Sequence, residues 1–192
     1  MKKTLIALAL VGFAASSAHA ATEATSVATW KATATKDSSE QALIVTPLGG
    51  LDFKYASGIK RFNTIDGMFD IAIKGSAGTE EAPITGFTLK AKKIQGRLTD
   101  TTGSTIMDVG VQWQGEEVPT NSYLSLIDTK AGKNGGALSA IGQGFKGNSD
   151  ARGSMTFNII NAESGGKSVA LSEVPEGLYQ GSVDIEFVAN WS

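Results

Sequence analysis

Cysteine is absent from the 192 residues, so neither a disulfide nor a thiol nucleophile is available. Histidine occurs once, as His19. It lies in a leading stretch with the marks of a removable secretion signal. Lys2 and Lys3 form a basic start, Leu5 to Phe13 an apolar run too short to span a bilayer comfortably, and Ala18-His19-Ala20 a small-residue cleavage site. Cleavage after Ala20 leaves 172 residues with no histidine and no cysteine, which excludes imidazole base catalysis and the commonest zinc and copper ligands. No later apolar run reaches membrane-spanning length, so membrane insertion is not expected. Excess positive charge is lacking too. Without Lys2 and Lys3 there are 15 basic against 19 acidic residues, a net charge of −4, with the basic residues scattered. Nucleic acid and anionic membrane surfaces are therefore not expected partners.

What is present is alternation of period two; no stretch keeps a helical spacing of apolar residues over three turns. The expected class is all-β. Strands are predicted at Leu43 to Val45, Leu51 to Tyr55, Phe69 to Lys74, Phe87 to Ile94, Met107 to Trp113, Tyr123 to Ile127, Met155 to Ile160 and Tyr179 to Trp191, separated by Gly, Asn, Asp and Ser clusters. Their spacing points to a two-sheet sandwich. Met107, Val109, Val111 and Trp113 form one apolar row; Phe69, Ile71 and Ile73 form another, and Met155, Phe157 and Ile159 a third. Between Asp128 and Arg152 a glycine-rich stretch reads as an exposed, adaptable loop, with one short helical turn at Leu138 to Ile141.

Two strands stand out. Near the end of the sequence Tyr179, Val183, Ile185, Phe187, Ala189 and Trp191 make a nearly unbroken apolar row. Leaving aromatics of this size exposed forfeits about 1.5 to 3 kcal/mol each, so the row must face a core or be clamped by something else. Near the start, Ala24, Ser26, Ala28, Trp30, Ala32 and Ala34 share one face, small residues around one large anchor, followed by the polar break Lys36 to Glu40. This segment reads either as an edge strand of its own sheet, which alternation alone favours, or as a detachable arm that adds a strand to another molecule.

Chemistry is thinly represented. Gly142-Gln143-Gly144-Phe145-Lys146-Gly147 has the glycine spacing of a dinucleotide-binding turn but no βαβ context. Glu80-Glu81 and Glu116-Glu117 are adjacent carboxylates, which point to opposite faces of a strand and read as solvated turn residues. Asn190-Trp191-Ser192 is a formal glycosylation sequon on the last strand. Trp113 and Tyr123 could stack on sugar rings, although their aliphatic neighbours favour core packing. No cofactor or metal site and no enzyme activity is expected.

Taken together, Val27-Ala28-Thr29-Trp30, Ala32-Thr33-Ala34, Val45-Thr46-Pro47-Leu48-Gly49, Tyr55-Ala56, Gly58-Ile59-Lys60, Phe62-Asn63, Gly67 and Phe69-Asp70 resemble the major pilins of the Escherichia coli common pilus, or Mat fimbria, family. Gly103-Ser104-Thr105, Val109-Gly110-Val111, Ile127-Asp128-Thr129, Pro175-Glu176-Gly177 and Trp191 add to the resemblance in chain order. It implies a chaperone-usher pilin with an incomplete immunoglobulin-like sandwich, completed by donor-strand exchange. Residues 1–20 are then a signal peptide, 21–40 a donor-strand arm and 41–192 the pilin domain. The arm would place Ala24, Ser26, Ala28, Trp30, Ala32 and Ala34 in a neighbour's groove. Val183, Ile185, Phe187, Ala189 and Trp191 would border the groove and face a chaperone. The implied partners are other copies in a head-to-tail homopolymer, a periplasmic chaperone, an outer-membrane usher, a tip adhesin subunit and host-cell receptors. The implied setting is a surface fimbria reached through the periplasm, serving adhesion to host cells and early biofilm formation. The alternative from a different class is a secreted, single-copy carbohydrate-binding or tip adhesin module.

Overall fold

A computed structural model describes residues 43–192; residues 1–42, which include the expected signal peptide 1–20 and the expected donor-strand arm 21–40, lie outside the described residues. The strands in chain order are β1 (Leu43–Leu48), β2 (Tyr55–Ala56), β3 (Arg61–Phe62), β4 (Ile65–Lys74), β5 (Phe87–Thr99), β6 (Thr105–Trp113), β7 (Glu116–Glu117), β8 (Leu124–Asp128), β9 (Asn148–Ser164), β10 (Lys167–Ser168) and β11 (Gln180–Trp191). A 3₁₀ turn at Gly136–Leu138 and one short helix, α1 (Ser139–Gln143), precede β9. The class is all-β, an immunoglobulin-like sandwich.

Pairing runs β1-β4-β9-β6-β5-β11, with β8 also on β5, and every paired neighbour is antiparallel. β5 touches β6 only over Arg97 to Thr99 before the two diverge, so the sheet bends there into two layers. One layer is β1-β4-β9-β6 and the other β8-β5-β11. Lettered in chain order without the short strands, these are A-B-E-D against C-F, the immunoglobulin arrangement. A tyrosine corner accompanies it: Tyr179, just ahead of β11, donates its hydroxyl to the carbonyl of Pro175 at 2.7 Å, four residues upstream.

The apolar rows meet between the layers. Phe87, Leu89 and Ala91 from β5, Val109 and Val111 from β6, and Leu126 and Ile127 from β8 are fully buried, and Trp113 is 2% exposed. Lys93 continues the inward row of β5, where an apolar residue would be usual. Its ammonium donates at 2.9 Å to the carbonyl of Val109, next to the bulge between Asp108 and Val109. That contact supplies a partner where β5 and β6 have separated, as a buried carbonyl requires. The β6–β7 hairpin turns through Gln114 (φ 52) and Gly115 (φ 85), the left-handed pair that matches strand twist in a two-residue loop.

Three expectations need correction. The stretch from Asp128 to Arg152 is not an exposed loop throughout: Leu138 and Ile141 are fully buried, Phe145 stacks on Phe87 at 6.0 Å, and β9 begins at Asn148. Its glycines concealed an apolar set spaced to plug one end of the sandwich, although the helical turn sits where expected. Residues 51–54 form no strand; Leu51 and Phe53 alternate inward, but their backbone has no ladder partner, because alternation reports one-sided burial rather than pairing. Tyr123 lies outside β8 and is 43% exposed, since its hydroxyl reaches Glu186 on the outer surface.

Candidate functional site

The site is a groove between the two outermost strands. Among the described residues, β1 pairs only with β4 and β11 only with β5, so each offers a free edge. Pro47 fits this place, because a residue with no N–H is tolerated at a sheet edge and not inside a sheet. Between the edges lies a cavity of about 370 Å³. Val45, Pro47 and Leu48 of β1 form one wall and Val183, Ile185 and Phe187 of β11 the other, with Leu51 and Phe53 at one end. Phe69, Met155, Phe157 and Leu98 supply the floor.

Burial along the walls shows what the groove lacks. From Phe87 to Lys93 the inward row of β5 is buried, whereas Val183, Ile185, Phe187, Ala189 and Trp191 on neighbouring β11 are only partly buried against the same core. Leu43 and Val45 of β1 are partly buried in the same way. Both walls therefore present apolar side chains with cover on one side only and a backbone row open to pairing, a combination that favours strand addition.

The two ends of β11 differ. Val183, Ile185 and Phe187 line the cavity, with Phe187 5.3 Å from Phe69. Ala189 and Trp191 lie past the cavity lining, and Trp191 packs edge-on to Phe87 at 5.1 Å while its indole N–H donates to the carbonyl of Phe145. The amides of Thr85 and Gly86 donate to Ser192 O, and the Ser192 amide donates back to Gly86, fixing this end of the strand.

Polar contacts hold β11 from outside. Glu186 accepts from the Tyr123 hydroxyl at 2.7 Å and pairs with Lys92 at 3.0 Å, while the Lys92 ammonium lies 4.6 Å from the centre of the Tyr123 ring. The Tyr123 hydrogen bond, followed by the one from Lys92, holds the Glu186 carboxyl below its ordinary value. Gln95 bridges Ser182 at 2.9 Å and Asp184 at 2.7 Å. On the other layer Arg152 clasps Asp70 with two bonds of 2.7 and 3.0 Å and lowers its pKa. The β11 wall is braced on its solvent face, the β4–β9 pair behind β1 is tied on its own, and both walls are unfinished on their inner faces.

The other sequence features fall apart spatially. The Gly142 to Gly147 run spans the end of α1 and the loop before β9, with no strand, turn and helix to cradle a phosphate. Glu80 and Glu81 are exposed in the β4–β5 loop, and Glu116, on β7 rather than in a turn, pairs with Lys133 at 3.2 Å. Trp113 is in the core and Tyr123 on the surface, so they cannot form one sugar platform. Among the described residues no three His, Cys, Asp or Glu side chains come together as metal ligands, and no helix is long and apolar enough to cross a membrane. The arm residues Ala24, Ser26, Ala28, Trp30, Ala32 and Ala34 lie outside the described residues. Sequence reasoning missed the β1 wall and the Leu51–Phe53 end; Pro47 inside an alternating run was the available signal.

A family model described as fimbrillin MatB matches residues 23–191. The common pilus major fimbrillin subunit EcpA of Klebsiella pneumoniae strain 342 is 41% identical over 201 residues, with both chains covered in full. The chain belongs to the MatB fimbrillin family. Its Escherichia coli K12 relative, also a common pilus major fimbrillin subunit, is 40% identical over 202 residues, again with full coverage of both. Among solved structures, the CooA pilin subunit from enterotoxigenic Escherichia coli aligns with a TM-score of 0.45 and 14% identity, covering 76% of this chain and 86% of that one. This fimbrillin is a structural subunit of a pilus.

Proposed function

We propose that the fimbrillin polymerises by donor-strand exchange, the groove between β1 and β11 of one copy taking up residues 24–34 of the next. The observation that carries this reading is the pair of free edges facing each other across a partly covered apolar cavity. In an immunoglobulin sandwich a further strand, antiparallel to F, completes the C-F layer. Here β11 occupies the F position, so the arm would run antiparallel to it, its start near Trp191 and its end near Gln180. Ala24, Ser26, Ala28, Trp30, Ala32 and Ala34 supply the inward face, and their backbone continues both layers.

Insertion would bury roughly 1,000 Å² or more, and separation would break a whole ladder at once, so the fibre is kinetically durable. Each copy receives one arm and gives one, a head-to-tail contact that does not close on itself. Before assembly the same groove is an aggregation hazard, which a periplasmic chaperone answers by lending a strand, an established case of β-strand addition. An outer-membrane usher would exchange that strand for the arm, beneath a tip adhesin subunit. The resulting surface fimbria would act in adhesion to host cells and early biofilm formation.

A direct test uses the chain trimmed of residues 1–40, with and without a synthetic peptide of residues 21–40. The expected result is a trimmed protein that melts at low temperature alone and resists heat and mild detergent once the peptide is added. A trimmed protein that is compact, monomeric and heat-resistant by itself overturns the proposal.

A further inference from the structure

Of the large apolar side chains exposed among the described residues, Ile59 and Leu178 stand farthest into solvent, at 64% and 66%. Both belong to one pole of the sandwich. Ile59 is at the turn of the β2–β3 hairpin, in the segment joining the end of β1 to the start of β4, and Leu178 lies two residues ahead of β11. Lys60 and Arg61 follow Ile59 directly and have no ion-pair partner among the described residues. Lys60 is held at φ 55, a left-handed conformation uncommon for a side chain of its kind, which fixes the tip.

The opposite pole carries the complement. The loop between β4 and β5, pinched by the Gly78–Pro83 bridge, presents Glu80, Glu81, Ala82 and Pro83 to solvent. Neither glutamate has an ion-pair partner among the described residues. This loop begins next to the point where β1 starts, since Leu43 faces Ile73.

Connectivity brings the two poles together. An arm running antiparallel to β11 leaves the groove at the Gln180 end, beside Leu51, Phe53 and the hairpin that follows them. From Ala34 only eight residues, 35–42, lead to Leu43 of the donating copy, a reach of at most about 32 Å over the nine steps when fully extended. The donor's β4–β5 loop is therefore delivered close to the acceptor's hairpin. Resting on the strand insertion proposed above, we infer that the Ile59–Arg61 tip of one copy seats against the 78–83 loop of the copy whose arm fills its groove. Apolar contact to Ala82 and Pro83 shields Ile59, and Lys60 and Arg61 meet Glu80 and Glu81. This second contact gives neighbouring subunits a fixed angle, where a linker alone would leave them free to swivel.

The absence of cysteine makes the test clean. Fibres of an Ile59→Cys, Glu81→Cys chain are treated with a short bis-maleimide and run on denaturing gels with and without boiling. Unboiled material reports strand exchange; boiled material retains only covalent links. The expected result is a boiled ladder for this chain and for a second pair, Ser57→Cys with Ala82→Cys, and at least a tenfold lower yield for Ile94→Cys with Glu81→Cys, since Ile94 lies on a sheet face. Unboiled ladders that boil to monomer overturn the polar contact while leaving strand exchange standing, as does an equal yield from the Ile94 control. Loss of the unboiled ladder in the unsubstituted chain removes both.

Discussion

The indole N–H of Trp191 donates to the main-chain carbonyl of Phe145 at 2.8 Å, joining the last strand to the turn that precedes β9 across 46 residues of sequence. The Ser76 amide donates to that same carbonyl at 3.2 Å, so one oxygen gathers three segments at one pole. Trp191→Phe keeps the ring against Phe87 but removes the donor, and should cost about 1 kcal/mol, the net worth of one hydrogen bond. Trp191→Ala also strips partly buried aromatic surface and should cost about 2 to 4 kcal/mol. Urea unfolding of the two variants reads both values; equal losses would mean that packing alone matters.

How much of this was legible in the sequence depends on the kind of signal. Rows such as Met107, Val109, Val111 and Trp113 announced their strand because they face the core while Asp108, Gly110 and Gln112 face the other way, so burial imprints a period of two. The plug built from Leu138, Ile141 and Phe145 left no such imprint, because its apolar residues are set among glycines that make the tight approaches. Gly135 is one, held at φ 75 with the Ile127 side chain against it. Half of the groove was visible in the terminal apolar row. The other half was not, because Val45, Leu51 and Phe53 become neighbours of Val183 and Phe187 only through the sheet order, which no local pattern encodes.

The arm should be separable from the domain. Trp30→Asp puts a charge, and Ala28→Arg a long cation, on the face proposed to enter the groove, where an unpaired charge is costly to bury. Each variant should still reach the periplasm in normal amount, because its own groove is unaltered, yet give no detergent-resistant ladder and no fibres by electron microscopy. Full-length fibres from either would take that face of the arm out of the interface.

Acid should loosen polar ties on the outside of both layers, one on the β11 wall and one between β4 and β9. Glu186, held below its ordinary value of 4.5 chiefly by Tyr123 and then Lys92, and Asp70, held below 3.8 chiefly by Arg152, favour the folded state while ionised. Because the folded-state pKa is depressed, that contribution is complete above the ordinary value and is lost as pH falls through the depressed one. With no histidine after residue 19, the protein has no unperturbed side chain to titrate between about pH 5 and 8, so its melting temperature should be flat there and fall below about pH 4.5. Glu186→Gln with Asp70→Asn should make the acid decline shallower, as followed by thermal melts across pH. An unchanged acid slope would place the responsible carboxylates elsewhere.

If growth is head-to-tail as proposed, the two halves of the interface are genetically distinguishable. Ile185 lines the groove and is only partly buried, so Ile185→Arg can send its guanidinium toward solvent in the free subunit but blocks an entering strand. Its own arm is intact. Such a subunit can donate once to a normal groove and then accept nothing, so it ends a fibre instead of being excluded from it. Mixed at about one part in ten with normal chain, it should shorten mean fibre length several-fold by electron microscopy. The same fraction of Trp30→Asp chain, which cannot donate, should have far less effect wherever growth proceeds by donation from the incoming subunit. If the two variants shortened fibres equally, growth would not distinguish donor from acceptor, and the asymmetric exchange would have to give way to a symmetric contact.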